Sequence, residues 1–386
     1  MKTVETGLSR SILSALLGVL FVHVSATSRC EFSAVFNFGD SNSDTGGLAA
    51  SFWPAPEPNG ESFWGHPAGR YSDGRLVIDF IANNLGLPYL DAYLNSLGTN
   101  FSHGANFATA GATIRRPDAT LFESGLSPFP LDTQFSQFSQ FKSRSQIISK
   151  KGGVFKDLMP KGEDFSRALY TFDIGQNDLT HCFFNNMTSA EVRANVPDIL
   201  RQFTSIVKDI YEQGGRYFLI HNTGPFGCLA YVIERVNHKK SQIDKAGCVK
   251  TFNRVAQYFN KKLKEAVVKL RKEVPSGVFT YVDIYSLKYS LITHATKYGF
   301  EKPLEACCGH GGKYNYNRSM RCGSTVEVNG TRVLIGRSCR NPQVRVIWDG
   351  IHYTQAANRW VFDGIRGGSY SDPPTPLYLA CQGNIH

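Results

Sequence analysis

The chain has 386 residues, of which 42% are hydrophobic, 12% aromatic and 19% charged, with a formal net charge of +10. That balance excludes a disordered chain and leaves ample apolar material for a large core. The excess of Lys and Arg favours contact with anionic matrices such as acidic polysaccharide, through a long-range field.

In chain order, Lys2 and Arg10 precede the apolar run Ile12 to Val24, and small residues (VSATS) follow it. A charged start, a short apolar stretch and a small-residue exit predict a secretory signal peptide over residues 1–28, cleaved after Ala26 or Ser28. The run falls short of the about 20 residues needed to cross a bilayer, so no membrane insertion is expected. Removing residues 1–26 takes away Lys2, Arg10 and Glu5 and leaves +9. Nine cysteines suit the oxidising route that a signal peptide implies. Because the count is odd, at least one thiol stays unpaired or pairs with another molecule, and Cys228 to Cys248 is the first bridge expected. Four sequons, at Asn100, Asn186, Asn317 and Asn329, are candidate N-glycosylation sites.

Five compact β-branched and aromatic runs predict strands: AVFNF (34–38), ANFAT (105–109), ALYTFDI (168–174), RYFLIH (216–221) and GVFTYVDI (277–284). Helical stretches lie between them. The clearest is CVKTFNRVAQYFNKKLKEAVVKLRKEV, where Phe252, Val255, Phe259, Leu263, Ala266, Val267 and Leu270 recur every three or four residues. Its basic run, KKLKEAVVKLRKE (261–273), is expected to be a solvated helix surface, and no nucleic-acid partner is expected. Alternating strands and helices predict an α/β fold with a mostly parallel sheet between helical layers, with active residues at the carboxyl ends of the strands. No linker or repeat divides the chain. One domain is expected over 29–386, with a disulfide-tied excursion over about 286–345 before a final helix.

Three of the five strands run into polar, Gly-containing turns: FGDSNSD, IGQND and HNTGPFG. In the first, within FNFGDSNSDTGG (36–47), Ser41 follows a strand, where a nucleophile can be presented, although Gly-Asp-Ser is also good turn chemistry. WDGIHYT (348–354) places Asp349 three residues before His352, so that the carboxylate can orient the imidazole as a base. His310 has no such carboxylate neighbour. Asn177 in IGQNDL offers an amide N–H to an oxyanion or caps a turn, and Gly111 in GANFATAGATI permits close backbone approach or simply a tight turn. Cys307, Cys308 and His310 do not have common zinc spacing, and the glycines before Lys313 do not complete a phosphate loop; no metal and no cofactor are expected.

Together, Ser41, Gly111, Asn177 and Asp349/His352 stand in an order that resembles the plant-type secreted GDSL esterase/lipase family, the SGNH hydrolases. GRYSDGRLVIDFIA, HNTGPFGC, CCGHGGKYNYN and DGIHYTQAANR also resemble that subgroup, so the likeness covers nearly the whole mature chain. One departure is Asn42, where the family's name anticipates Leu. The resemblance implies a three-layer α/β/α, flavodoxin-like fold with a five-stranded sheet. It also implies a secreted serine ester hydrolase of the cell wall, apoplast or vacuole, acting on acetyl or short acyl esters of plant metabolites or wall polysaccharides. In it Ser41 would attack, His352 and Asp349 would serve as base and orienter, and Ser41, Gly111 and Asn177 would bind the oxyanion. An acyltransferase using the same acyl-enzyme, or a fucosidase-like glycosidase, is the alternative.

Overall fold

The computed structural model describes residues 29–382 apart from Ser96, Ala119, Thr120, Asn237 and the side chains of Phe122 and Glu123. The expected leader over 1–28 lies outside the described residues.

All five expected strands form, as β1 (Val35–Gly39), β2 (Gly104–Asn106), β3 (Leu169–Asp173), β4 (Tyr217–His221) and β5 (Val278–Val282). They pair in parallel in the order β2-β1-β3-β4-β5. A two-residue strand, Ser371–Asp372, adds an antiparallel edge on β5, so the sheet has six strands rather than five. ANFAT is shortened because ladder pairing to β1 ends at Asn106, and the chain then turns.

The period-2 alternation of the strands divides the interior into two layers. Phe36, Phe38, Tyr170, Phe172, Phe218 and Ile220 face one way, into a core built on α2 (Leu131–Lys151), α4 (Ser189–Glu212) and α5 (Lys250–Glu273). Here α1 is Val77–Asn84 and α3 is Gln176–Phe184. Val35, Leu169, Leu219 and Val282 face the other way, toward α1, α6 (Ile284–Thr293) and α7 (Gln355–Arg366). This is the three-layer α/β/α arrangement. The aromatic layer is dense: Phe38 stacks with both Phe107 and Phe172.

Helix α5 buries Phe252, Val255, Phe259, Leu263, Val267 and Leu270, as its spacing predicts, while Ala266 is only half-buried. Two polar residues on its buried face hold the loop after β4. Asn260 exchanges two hydrogen bonds with the Thr223 backbone, and Asn253 accepts from the Gly227 N–H.

Four disulfides close: Cys228–Cys248, Cys30–Cys381, Cys307–Cys339 and Cys308–Cys322; Cys182 is a buried free thiol. Residues 284–293 form α6, so the irregular excursion begins after that helix, and it carries a small hairpin (Thr325–Val328 and Thr331–Leu334). Among the described residues, no helix is long and apolar enough to cross a membrane.

Candidate active site

Strand β1 ends at Gly39, and there the chain is held from two sides. Gln134 of α2 accepts from the Gly39 N–H and donates to its carbonyl, both at 2.9 Å, while the Asp40 N–H donates to the Asp173 carbonyl of β3. A Cβ at Gly39 would lie 2.4 Å from Ser43 Oγ and 2.6 Å from the Asp173 carbonyl oxygen, so the close approach requires glycine. Asp40 and then Ser41 follow, and Ser41, 7% exposed, lines a cleft of about 990 Å³. Gly111, Asn177 and His352 line the same cleft. The fold therefore brings together four segments separated by up to 311 positions in sequence, counting from Ser41 to His352. Adjacency of β1 and β3 explains why the turns bearing Ser41 and Asn177 meet.

Asn42 does not line the cleft. Its backbone N–H and its Nδ2 both donate to Asp40 Oδ1, at 2.9 and 3.0 Å, so it braces the residue before Ser41. Burial, and then the negative charge of Asp173, push Asp40 well above the usual carboxylate range. Asp173 is held below that range against the effect of its own burial, by the His221 imidazole 3.6 Å away and by the buried Lys288 ammonium.

The Asp349–His352 turn is tightly made. Asp349 Oδ1 accepts from the backbone N–H groups of Ile351 and His352, and Asp349 Oδ2 lies 2.6 Å from His352 Nδ1. Burial alone would raise the Asp349 pKa; the charge of His352 and these hydrogen bonds outweigh it and hold the carboxyl below its ordinary value. With Nδ1 so engaged, His352 Nε2 is left buried and without a hydrogen-bond partner among the described residues. Such an orphan is costly unless a substrate or a reacting group uses it. Tyr71 packs on the imidazole with ring centroids 5.4 Å apart.

The turn is supported from behind. Trp348 is fully buried against the Cys307 and Cys308 bridges and donates from Nε1 to Asn59 Oδ1. The N–H groups of Cys307 and Cys308 donate to the carbonyls of Ile347 and Trp348. Thr354 then caps α7 through the Ala357 N–H.

Gly111 sits at φ +82°, and a Cβ there would approach the Gly125 carbonyl oxygen to 2.7 Å. Its loop is clamped by two buried carboxylates. Asp44 accepts from the N–H groups of Gly46, Gly47 and Leu48, and from Ala110 at 2.7 Å. Asp178 accepts from Ile114 and Arg115, at 2.8 and 3.0 Å. Asn177 Nδ2 donates to the Ala112 carbonyl, which leaves its second amide hydrogen. None of the described hydrogen bonds uses the backbone N–H of Ser41 or Gly111. The cleft thus holds a hydroxyl, an imidazole nitrogen backed by a carboxylate, and uncommitted N–H donors. That set matches what acyl transfer needs.

Asp44 and Asp178 were not singled out by sequence reasoning. Asp44 precedes two glycines, a pattern that leaves backbone N–H groups to collect, and this was the available signal. Asp178→Ala is expected to strip the acceptors from the buried Ile114 N–H, at about 1–3 kcal/mol, and from the part-buried Arg115 N–H, at less. We expect a lower melting temperature and a fall in kcat that exceeds the change in KM. Asp178→Asn, which keeps one acceptor, should recover part of both; a variant with wild-type kcat would refute the clamp's positioning role.

The four sequon asparagines, Asn100, Asn186, Asn317 and Asn329, are all exposed. Asn317 stands at the rim of the cleft itself.

Comparison with known proteins places these features in context. The family described as GDSL-like lipase/acylhydrolase matches residues 35–365. The chain is 56% identical over 367 residues to a GDSL esterase/lipase of Arabidopsis thaliana, covering 95% of this chain and 97% of that one. It is 57% identical over 355 residues to a GDSL esterase/lipase of Zea mays, covering 92% and 90% of the two chains. It is also 57% identical over 358 residues to a protein named alpha-L-fucosidase 3 of Arabidopsis thaliana, covering 93% and 95%.

Proposed function

Because this chain belongs to the GDSL-like lipase/acylhydrolase family and is a carboxylic ester hydrolase, we propose that it cleaves acetyl or other short acyl esters through an acyl-enzyme on Ser41. The observation that carries this reading is the Asp349–His352 pair at 2.6 Å, whose second ring nitrogen has no partner among the described residues, in a cleft shared with Ser41.

Ser41 Oγ attacks the ester carbonyl carbon while His352 Nε2 takes its proton. The C=O electron pair moves onto oxygen, and the N–H groups of Ser41 and Gly111 with the Asn177 amide receive it. Collapse expels the alcohol, which leaves with the proton from His352. Water then repeats the sequence on the acyl-enzyme and frees Ser41 and the acid. Asp349 holds the imidazole in its working tautomer and balances its charge.

Rapid acid quenching during turnover of p-nitrophenyl acetate is expected to leave an acetyl group on the peptide containing Ser41. An initial burst with no adduct, or an adduct elsewhere, would sink the assignment. Asn177→Ala should lower kcat by about 10²–10³-fold while leaving the acetyl adduct detectable.

Glycosidase action is the weaker reading, because a glycosidase generally uses two carboxylates flanking the bond. Asp349 is committed to His352, and Asp40 is buried and does not line the cleft. Turnover of p-nitrophenyl fucoside below that of p-nitrophenyl acetate is the expected result. An acyltransferase would differ only in its acceptor, so product analysis with an added alcohol separates the two.

Residues 1–28 are proposed as the leader of a secreted, glycosylated protein. Support comes from four disulfides and four exposed sequons.

A further inference from the structure

The cleft is not uniform. Segments near Ser41 and Gly111 contribute apolar lining, including Leu48, Leu121 and Leu126, whereas another part of the wall carries Arg235, Arg318 and Arg321. These three arginines arrive from separate places. Arg235 follows the short helix Ala230–Ile233, and the other two lie in the disulfide-tied excursion, where Arg321 Nε donates to the Arg318 carbonyl.

The Arg235 guanidinium lies over the Phe184 ring at 3.7 Å from its centroid, which fixes one face and leaves its N–H edge available. The three cations are close enough to act on one another. Burial, then the charge of Arg318, and more weakly that of Arg321, push the Arg235 pKa down. Tyr316, another cleft residue, lies within the electrostatic reach of all three.

Elsewhere, exposed arginines take carboxylate partners, as in Arg116–Asp132, Arg201–Asp198 and Arg359–Asp363. No carboxylate lies within ion-pair distance of Arg235, Arg318 or Arg321 among the described residues. Even Glu234, on the same wall, forms no ion pair with them. Three like charges assembled without a counter-charge repel one another, and an incoming anion relieves that repulsion.

We propose that Arg235, Arg318 and Arg321 form a subsite for a carboxylate on the alcohol portion of the ester, as in an acylated sugar acid, free or within a polymer. The inference rests on the ester-hydrolysis reading of the cleft. A planar guanidinium edge presents two parallel N–H donors to the two oxygens of a carboxylate. The apolar lining near Ser41 is left for the acyl chain.

The test uses three phenyl acetates, the O-acetyl esters of 4-hydroxyphenylacetate, of its neutral amide, and of a trimethylammonium analogue, each rate being divided by that ester's own hydroxide-catalysed rate. For the full glycosylated protein, kcat/KM should favour the carboxylate over the amide by about tenfold or more, a difference of about 1.4 kcal/mol. The cationic ester should be poorest, and high salt should compress the series. In Arg235→Gln/Arg318→Gln/Arg321→Gln the carboxylate-to-amide ratio should collapse toward one, and in the remote control Arg144→Gln it should not change. Equal rates for the three esters, or a preference that survives the triple change, would overturn the subsite while leaving ester hydrolysis intact.

A binding arm stands apart from turnover. With Ser41→Ala as background, 4-hydroxyphenylacetate should bind measurably, and the triple change should abolish that binding; binding that persists counts against the subsite even if no ester is cleaved. An O-acetylated oligouronide compared with its methyl-esterified form extends the test: preference for the free acid there assigns a polymer substrate, and preference confined to the small esters assigns a free sugar acid.

Discussion

Ser41→Ala is expected to lower kcat for a short acyl ester by about 10⁴-fold or more, because without the hydroxyl the base has no nucleophile to activate, and only the oxyanion donors and substrate binding remain. The change is structurally mild. Ser41 is in a turn after β1, its hydroxyl enters none of the described hydrogen bonds, and the anchors on either side involve other atoms: Gln134 on Gly39, Asn42 on Asp40. The melting temperature should therefore stay close to wild type, which separates lost chemistry from lost fold. A serine-directed fluorophosphonate should label the wild-type protein on Ser41 and leave the variant untouched. A well-folded Ser41→Ala protein that hydrolyses p-nitrophenyl acetate at the wild-type rate would falsify the mechanism.

The second large effect is expected at Asp349→Asn, with kcat falling about 10⁴-fold. Asparagine can still accept the Ile351 and His352 backbone N–H groups through one oxygen, so the turn should persist. What changes is the atom facing His352 Nδ1. An amide nitrogen there donates rather than accepts, and it favours the tautomer with its proton on Nε2, where a base must be bare. A pH arm checks the electrostatic part. The carboxyl of Asp349 is depressed in the folded protein, so it contributes stability fully above its unfolded pKa of about 4 and loses that contribution as pH falls through the folded value. Between neutral and strongly acidic solution, Asp349→Asn should therefore lose less stability than wild type. Parallel acid-unfolding curves would contradict the assigned role.

Much of this fold could be read from local pattern. Runs such as ALYTFDI and GVFTYVDI carry the apolar content of strands buried on both faces, and α5 shows its buried stripe at regular spacing. Ser41 and His352 were legible for another reason: each lies beside a short-range partner, a strand end or an aspartate three residues away. The group Asp173, His221 and Lys288 was not legible, because its members come from β3, β4 and α6 and meet only across the sheet. The arginine wall escaped for the same reason. Arg318 and Arg321 sit in an irregular segment whose path depends on two disulfides, and their distance from Arg235 has no signature in spacing. Asn42, in contrast, was conspicuous in sequence as a departure, and the structure turns it away from the cleft onto Asp40.

The Cys30–Cys381 bridge sets an order on the protein's making. Cys30 is translated 351 residues before the partner that completes it, whereas Cys308 waits only 14 residues and Cys228 only 20. The short bridges can close while the chain is still emerging; the long one cannot, however oxidising the compartment. All five parallel strands and both halves of the cleft are synthesised before the ring is sealed. During that interval Cys30 is a second unpaired thiol beside Cys182, and burial of Cys182 withholds one wrong partner before the right one arrives. Sealing is therefore a late act, available only once Cys381 has been translated.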